Sequence, residues 1–326
     1  YIIKGKEEVK PIWSSILPSF STYFIIKSYR KLTNKNIIFN PKEINEDDFI
    51  SLQSLGRGSS SIVKLIFYIE TEELITIKMF NNSISFKREY EFYKKMHHPS
   101  IPRFYCKLED NESLIIEYIR GKTLDEIKCN ELSYEDRFYI MIQLMILFEY
   151  LHFNQLVYRD LKPNNLIVDV NKNLFLIDFD QMINLNEIDA NKQVTSDFAS
   201  LFASPELKNA QENKKYSDKM DVYSFGVLIY YIYFNKIPNF ERKDESNEID
   251  FSFDQQYSSL KKIFEECTEK NPENRTTITK LIDFYANYFF SQNLEHKSTQ
   301  IIKEDKFYPK WIKYEEQLKS FFKEKY

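Results

Sequence analysis

Glycine is scarce in this chain of 326 residues: there are 5, against 28 Phe and 23 Tyr. Where so few remain, each glycine is expected to meet a backbone requirement that a Cβ would obstruct. The surplus of Phe, Tyr, Lys, Asn and Ile reads as the codon bias of an AT-rich genome, which bears on origin and not on mechanism. Cysteine is rarer still, at 3. Cys106, Cys129 and Cys267 lie far apart and form no CxxC pair, which argues against a disulfide framework or a thiolate zinc site. A reducing, cytoplasmic compartment is the expectation, with secretion into a host cell the alternative. Of the 4 histidines, the adjacent His97 and His98 precede Pro99 and have no carboxylate or thiolate near them in sequence, so they mark a turn and not a metal site. A net charge of −4 and a pI near 5.8 give no global argument for nucleic acid or an anionic membrane.

Long apolar runs are missing too. Phe138–Leu151 is broken by Gln143 and Glu149, and Val222–Phe234 contains Ser224 and Gly226. Neither reaches the roughly 18–20 clean apolar residues of a membrane span, so both are expected to be buried helices. The chain opens on Tyr1 and not on Met, so a missing true N-terminus is the expectation. The lack of a signal peptide therefore carries little weight. No internal repeat or low-complexity linker is visible.

With 43% hydrophobic and 29% charged residues, the chain can build one or two cores. Residues 1–48 carry no chemical motif and read as an extension. From Phe49 the pattern turns β-rich. Ile62–Ile69 and Glu73–Phe80 form a predicted hairpin, and Phe104–Leu108 and Ser113–Tyr118 two further strands. Between them Ser85–Met96 is helical, with Phe86, Tyr90, Tyr93 and Met96 as its apolar stripe. After Gly121 the chain becomes helical. Ser133 opens a helix to Phe153, with Asp136 the partner in a capping box. Leu166–Val170 and Leu174–Ile177 are short strands, and Asp221–Phe234, Lys261–Glu269 and Thr277–Phe290 are helices. Residues 289–326 form a charged, aromatic tail.

Two stretches have chemistry in them. In Leu55-Gly56-Arg57-Gly58-Ser59-Ser60-Ser61-Ile62-Val63, closely spaced glycines between strands would let backbone N–H groups approach phosphate oxygens. Alone this is weak, because a G-x-G hairpin is more often an ordinary turn. Lys78 sits inside the apolar Ile75-Thr76-Ile77-Lys78, and a lysine pointing inward there requires an anionic partner, for which Glu89 is available. Downstream, Asp160, Asn165 and Asp178 fall on loops at strand ends. They make an oxygen-rich set suited to Mg²⁺, with Lys162 as a cation for phosphoryl charge.

Taken in order, the glycine loop, Lys78, Tyr158-Arg159-Asp160-Leu161-Lys162-Pro163-Asn164-Asn165, Asp178-Phe179-Asp180, Ser204-Pro205-Glu206, Asp221–Gly226 and Arg275 give seven matches, and the sequence resembles the eukaryotic-type protein kinase catalytic domain of the serine/threonine type. The resemblance implies an α+β, bilobal fold: an N-lobe at 49–118, a hinge at 117–121 and a C-lobe at 122–288, with tails at 1–48 and 289–326. It implies ATP and Mg²⁺ (or Mn²⁺) as cofactors, a protein substrate, and regulatory partners for the tails. Leu55, Gly56, Gly58, Ser61 and Val63 would cover the nucleotide, and Lys78, paired with Glu89 in preference to Glu91, would hold the α- and β-phosphates. Thr76 and Ile167 would join Leu55 and Val63 around adenine, which the Glu117 carbonyl and Ile119 N–H would read. Asp160 would take the substrate proton, Lys162 would contact the γ-phosphate, and Asn165 and Asp178 would hold the metal. Arg275 would pair with Glu206. Arg159 implies control by loop phosphorylation, with Thr195 and Ser196 as sites.

The departures from the family are Tyr158 for histidine, Ser61 for the third glycine, Thr76 for alanine, Asp180 for the glycine of D-F-G, and Ala199 for the threonine that buttresses Asp160. Two other functions are expected alternatives: a pseudokinase scaffold, and a small-molecule kinase, whose metal segment Leu176–Asp180 also resembles.

Overall fold

The computed structural model describes residues 48–58, 60–96, 98–109, 111–128, 131–187, 200–208, 215–238, 258–282 and 284. Cys129, Thr195, Ser196, Ala199 and all of both tails except Asp48 lie outside them. The described residues divide into two compact units, one of 48–126 with 163–182, the other of 127–162 with the residues from 183 onward.

The first unit is built on five antiparallel strands: β1 (Phe49–Arg57), β2 (Ser61–Tyr68), β3 (Glu73–Phe80), β4 (Phe104–Leu108) and β5 (Ser113–Glu117), in the order β1-β2-β3-β5-β4. Because side chains alternate across a strand, the register assigns each residue to a face. Ile66, Ile75 and Ile115 lie on one face, where with Tyr68 and Cys106 they form a core that also packs Phe49, Ile77, Tyr105 and Leu108. The opposite face carries Val63, Leu65, Thr76, Lys78, Leu114 and Ile116, since Val63 pairs with Lys78, Leu65 with Thr76, Thr76 with Ile116 and Lys78 with Leu114.

Helix α1 (Ser83–Lys95) follows β3. Asn82 caps it, its Oδ1 accepting the Ser85 N–H at 2.9 Å. Its buried stripe is Ser85, Phe86, Glu89, Phe92 and Tyr93. That corrects the expected stripe: Tyr90 and Met96 are only half-buried, and a carboxylate takes the inward position. A smaller sheet of β6 (Gly121–Thr123), β8 (Leu166–Asp169) and β9 (Leu174–Leu176) completes the unit. β6 has no counterpart among the strands expected from sequence. It lies so close to β8 that a Cβ on Gly121 would come within 2.8 Å of Ile167 Cγ2.

In the second unit, α2 (Tyr134–Phe153) has the expected capping box, with Asp136 N–H donating to Ser133 Oγ at 3.0 Å and Ser133 N–H to Asp136 Oδ2 at 3.2 Å. A two-residue ribbon joins β7 (Leu156–Val157) to β10 (Ile183–Asn184). It borders a core of Val157, Ala203, Leu207 and Met220 that includes the short α3 (Pro205–Lys208). Helix α4 (Lys219–Phe234) is buried nearly all round and ends at Asn235 in the left-handed conformation, φ 52°, its N–H returning to Tyr231 O at 2.8 Å. Gly226 lets α4 approach α5 (Ser258–Thr268): a Cβ there would sit 2.6 Å from Cys267 Cβ. So the two apolar runs are buried helices, and among the described residues no helix is long and apolar enough to cross a membrane.

Candidate active site

Lys78 is the centre of the first unit's polar cluster. Its Nζ is 2.7 Å from Glu89 Oε2 and 3.1 Å from Asp178 Oδ1. Lys78 and Glu89 are both buried, while the Asp178 side chain is 43% exposed and so offers a carboxylate edge to solvent. Burial presses Lys78 toward its neutral form, yet the Glu89 and Asp178 carboxylates prevail and its pKa is raised. Burial pushes the Glu89 carboxyl up to about 7, against the pull of Lys78 and with help from the charges of Asp178 and Asp180. The partner expected for an inward lysine is thus present. Glu91, the less favoured candidate, lies on the exposed side of α1, 3.8 Å from Lys94 and 3.9 Å from Lys95.

The residue after Asp178 anchors the segment. Phe179 is fully buried, stacked on Phe92 at 4.1 Å and edge-on to Tyr93 at 5.4 Å. Asp178 itself has φ 62°, a left-handed backbone that a non-glycine residue adopts only where its surroundings hold it. Ile177 N–H donates to Asn165 O at 3.0 Å, which ties the strand before Asp178 to the buried Asn165. Among the described residues no three His, Cys, Asp or Glu converge as a metal cage. A carboxylate and an amide are hard oxygen donors, and they fit Mg²⁺, which keeps several waters and takes phosphate ligands.

The glycine loop is short and closed on itself, with Gly58 N–H donating to Ser61 O at 2.9 Å. No neighbour among the described residues accounts for the two glycines of this loop. Neither Gly56 nor Gly58 has a positive φ, and among the described residues a Cβ on Gly56 would meet nothing within 4 Å and one on Gly58 only Ser61 O at 3.8 Å. Leu55 falls at a register shift between β1 and β2 and is 39% exposed. Val63 and Thr76 share the sheet face of Lys78. Glu117 closes β5, with its N–H on Arg103 O at 2.8 Å and its carboxylate accepting Arg103 N–H at 3.2 Å. Ile119 is buried two residues on, and Ile167 lies half-buried on β8.

The second unit holds Asp160 and Lys162. Lys162 Nζ is 2.8 Å from Asp160 Oδ2, and the Asp160 side chain is 12% exposed. Ahead of Asp160, Tyr158 is fully buried and packs edge-on to Phe148 at 5.7 Å. Arg159 has φ 69° and its guanidinium lies 5.2 Å from the Tyr216 ring centre. The backbone of both residues hangs on Asp221: Oδ2 accepts Tyr158 N–H at 2.9 Å and Oδ1 accepts Arg159 N–H at 2.8 Å. Asp221 is fully buried, with His152 Nε2 a further 2.9 Å from Oδ2. Sequence reading places Asp221 only within a motif and misses this role, as it misses Tyr216. Nothing in their spacing signals either contact. The expected pairing of Arg275 with Glu206 is present.

The family model for the protein kinase domain matches residues 49–289. The sequence is 30% identical over 261 residues to the dual specificity protein kinase pyk3 of Dictyostelium discoideum, covering 74% of this chain and 19% of that protein. It is 32% identical over 252 residues to the probable serine/threonine-protein kinase MARK-C of the same organism, covering 70% and 32%. It is 30% identical over 201 residues to the carbon catabolite-derepressing protein kinase of Candida glabrata, covering 57% and 32%. The matched region thus spans between about a fifth and a third of these relatives' lengths.

Proposed function

The chain belongs to the protein kinase domain family, and from that premise we propose that it is an ATP- and Mg²⁺-dependent protein kinase acting on serine and threonine hydroxyls. Residues 49–288 are the catalytic domain in this reading, with 1–48 and 289–326 as flanking segments that take regulatory partners. The observation that carries it is the buried Lys78 bridging Glu89 and Asp178 at 2.7 and 3.1 Å. A buried ammonium held by two carboxylates on loops and helices of separate origin is costly to keep for stability alone. It is well suited to phosphate.

The remaining roles follow the family resemblance. Gly56, Gly58 and Ser61 cover the phosphates. Among the described residues the two glycines meet no obstruction that a Cβ would worsen, so their lack of side chains is best accounted for by a ligand's close approach. Leu55, Val63, Thr76 and Ile167 contact adenine, and the Glu117 carbonyl and Ile119 N–H hydrogen-bond its edge. Mg²⁺, held by Asn165 and Asp178, would neutralise phosphate charge. The substrate hydroxyl oxygen forms a bond to the γ-phosphorus as the bond from that phosphorus to the β,γ-bridging oxygen breaks. ADP keeps the electron pair, and the hydroxyl proton passes to Asp160. Lys162 stabilises the charge on the transferring group. Lys162 also favours serine/threonine over tyrosine specificity.

Asp180 favours this reading over a small-molecule kinase. Its carboxylate is buried against Arg88 and Gln181 and so is not offered as a second metal ligand. The test is phosphate transfer from labelled ATP to mixed protein substrates and to a panel of sugars and amines, by the wild type and by Asp160→Asn. Label on protein serine and threonine, lost in the variant, is expected. Equal labelling by both chains would leave a scaffold, and label on small molecules alone would overturn the substrate class.

A further inference from the structure

Helix α1 is linked to three successive residues of the 178–180 segment, to the first through Lys78 of β3 and to the other two directly. Glu89 reaches Asp178 through Lys78, Phe92 and Tyr93 hold Phe179, and Arg88 holds Asp180. The third contact is the unexpected one. Arg88 Nη1 donates to the Asp180 carbonyl oxygen at 2.6 Å and lies 3.8 Å from its Oδ1. The Asp180 side chain is 11% exposed, its Oδ2 accepts from Gln181 Nε2 at 3.2 Å, and its Oδ1 is buried with no hydrogen-bond partner. A carboxylate so placed is expensive unless a cation stays beside it. Arg88 is the cation that does so, and its side chain is 44% exposed on the far side.

We propose that Arg88 is a positioning residue for Asp178: by clasping both the carbonyl and the carboxylate of Asp180 it fixes the backbone after Phe179, and so holds Asp178 in its left-handed conformation beside Lys78. A glycine in place of Asp180 would leave that backbone free to rotate. The aspartate instead gives Arg88 a charge to hold, and the segment is pinned at all three residues. The consequence is a metal-binding carboxylate that is set before nucleotide arrives. This rests on the nucleotide and Mg²⁺ reading given above.

The test compares the wild type with Arg88→Gln, Arg88→Lys, Asp180→Gly and the double variant R88Q/D180G, by two measurements. The first is melting of the nucleotide-free protein. The second is binding of a fluorescent ATP analogue, with and without Mg²⁺. In R88Q the Mg²⁺ needed for half-maximal binding should rise about tenfold, within the range for coupled contacting pairs, while binding without Mg²⁺ changes less than about twofold. The R88K variant should recover most of the loss. In the D180G background the R88Q change should cost no more than about threefold, because no buried carboxylate is left behind. Equal cost in both backgrounds, or an R88Q chain whose Mg²⁺ requirement matches the wild type, overturns the proposal. Melting shifts that simply add overturn the clasp itself, with no nucleotide involved. Non-additive melting across the wild type, R88Q, D180G and the double variant, with a wild type that binds no nucleotide, would overturn the kinase reading and the role toward Asp178, but not the contact.

Discussion

Arg275 and Glu206 form a buried two-pronged ion pair across 69 residues of chain, Nη1 to Oε1 at 2.5 Å and Nη2 to Oε2 at 2.8 Å. The arginine is otherwise satisfied by backbone oxygens, its Nε donating to Glu269 O at 2.8 Å and Nη1 to Lys219 O at 2.9 Å. It therefore links α3, the start of α4 and the end of α5 at one point. Removing one partner strands the other charge in the interior, which typically costs about 3–5 kcal/mol. Arg275→Met is expected to lose that much in denaturant unfolding. The double change R275M/E206M should lose distinctly less. If the two variants unfold alike, the pair has no such role.

Lys78 and Glu89 make a second prediction, and here pH enters. The Glu89 carboxyl is pushed up to about 7 by burial even with Lys78 beside it. In Lys78→Met the carboxyl loses that cation and is expected to shift further up. At pH 5 it folds protonated at little cost. At pH 8 the unfolded carboxyl is ionised and folding must take up a proton or bury the charge, so stability falls as pH rises from the unfolded 4.5 through the folded value. The loss in K78M should thus be about 3–5 kcal/mol at pH 8 and clearly smaller at pH 5. In the wild type the raised Lys78 value works with the opposite partner. Its contribution is complete below the unfolded 10.5 and disappears as pH rises through the folded pKa. A K78M loss independent of pH, or larger in acid, would exclude this account.

Much of this is legible in the chain because it is local. The hairpin of β2 and β3 shows in alternating β-branched runs and the start of α2 in Ser133 and Asp136, whereas the choice of Glu89 over Glu91 rests on the family resemblance. What escapes is tertiary. Strands β6 and β10, of three and two residues, are too short to show a period. The stripe of α1 is misassigned because a helix pattern scores Glu89 as polar and outward, whereas Lys78 on the neighbouring strand makes it inward. Asp221 shows the same limit. Its carboxylate is an ordinary acidic residue at a helix start until the fold brings Tyr158 and Arg159 to it. The glycines divide similarly: Gly121 and Gly226 meet internal contacts, while Gly56 and Gly58 do not.

His98 provides an acid-side prediction. Its Nδ1 accepts the Ser100 N–H at 3.1 Å, which requires that nitrogen to be unprotonated. Burial lowers its pKa from 6.5 to about 3. The folded form therefore binds its proton later than the unfolded form. The contribution is present above pH 6.5 and is lost as pH falls toward 3, at a slope of at most about 1.4 kcal/mol per pH unit. Replacing it, His98→Asn, keeps an acceptor and removes the titration. Its stability between about pH 6.5 and 4 should fall less steeply than the wild type's in parallel urea titrations. Parallel slopes would assign the acid sensitivity to other groups.

Asp221→Asn should separate turnover from nucleotide binding. The carboxylate accepts from two successive backbone N–H groups and lies beside His152, and an amide can offer only one oxygen to that set. One buried donor is then unpaired, at a cost of about 1–3 kcal/mol. Part of that cost appears as relaxation of Arg159, whose φ of 69° is held by the Asp221 bond. Asp160 is the next residue, so its carboxylate loses its fixed aim. Lys78, Glu89, Asn165 and Asp178 belong to the other compact unit. In D221N, kcat is expected to fall at least about tenfold, as misplaced catalytic groups do, while the dissociation constant for Mg²⁺ and ATP changes less than about threefold. A variant that loses nucleotide affinity in the same proportion as turnover would show that Asp221 supports the whole fold and not the aim of Asp160.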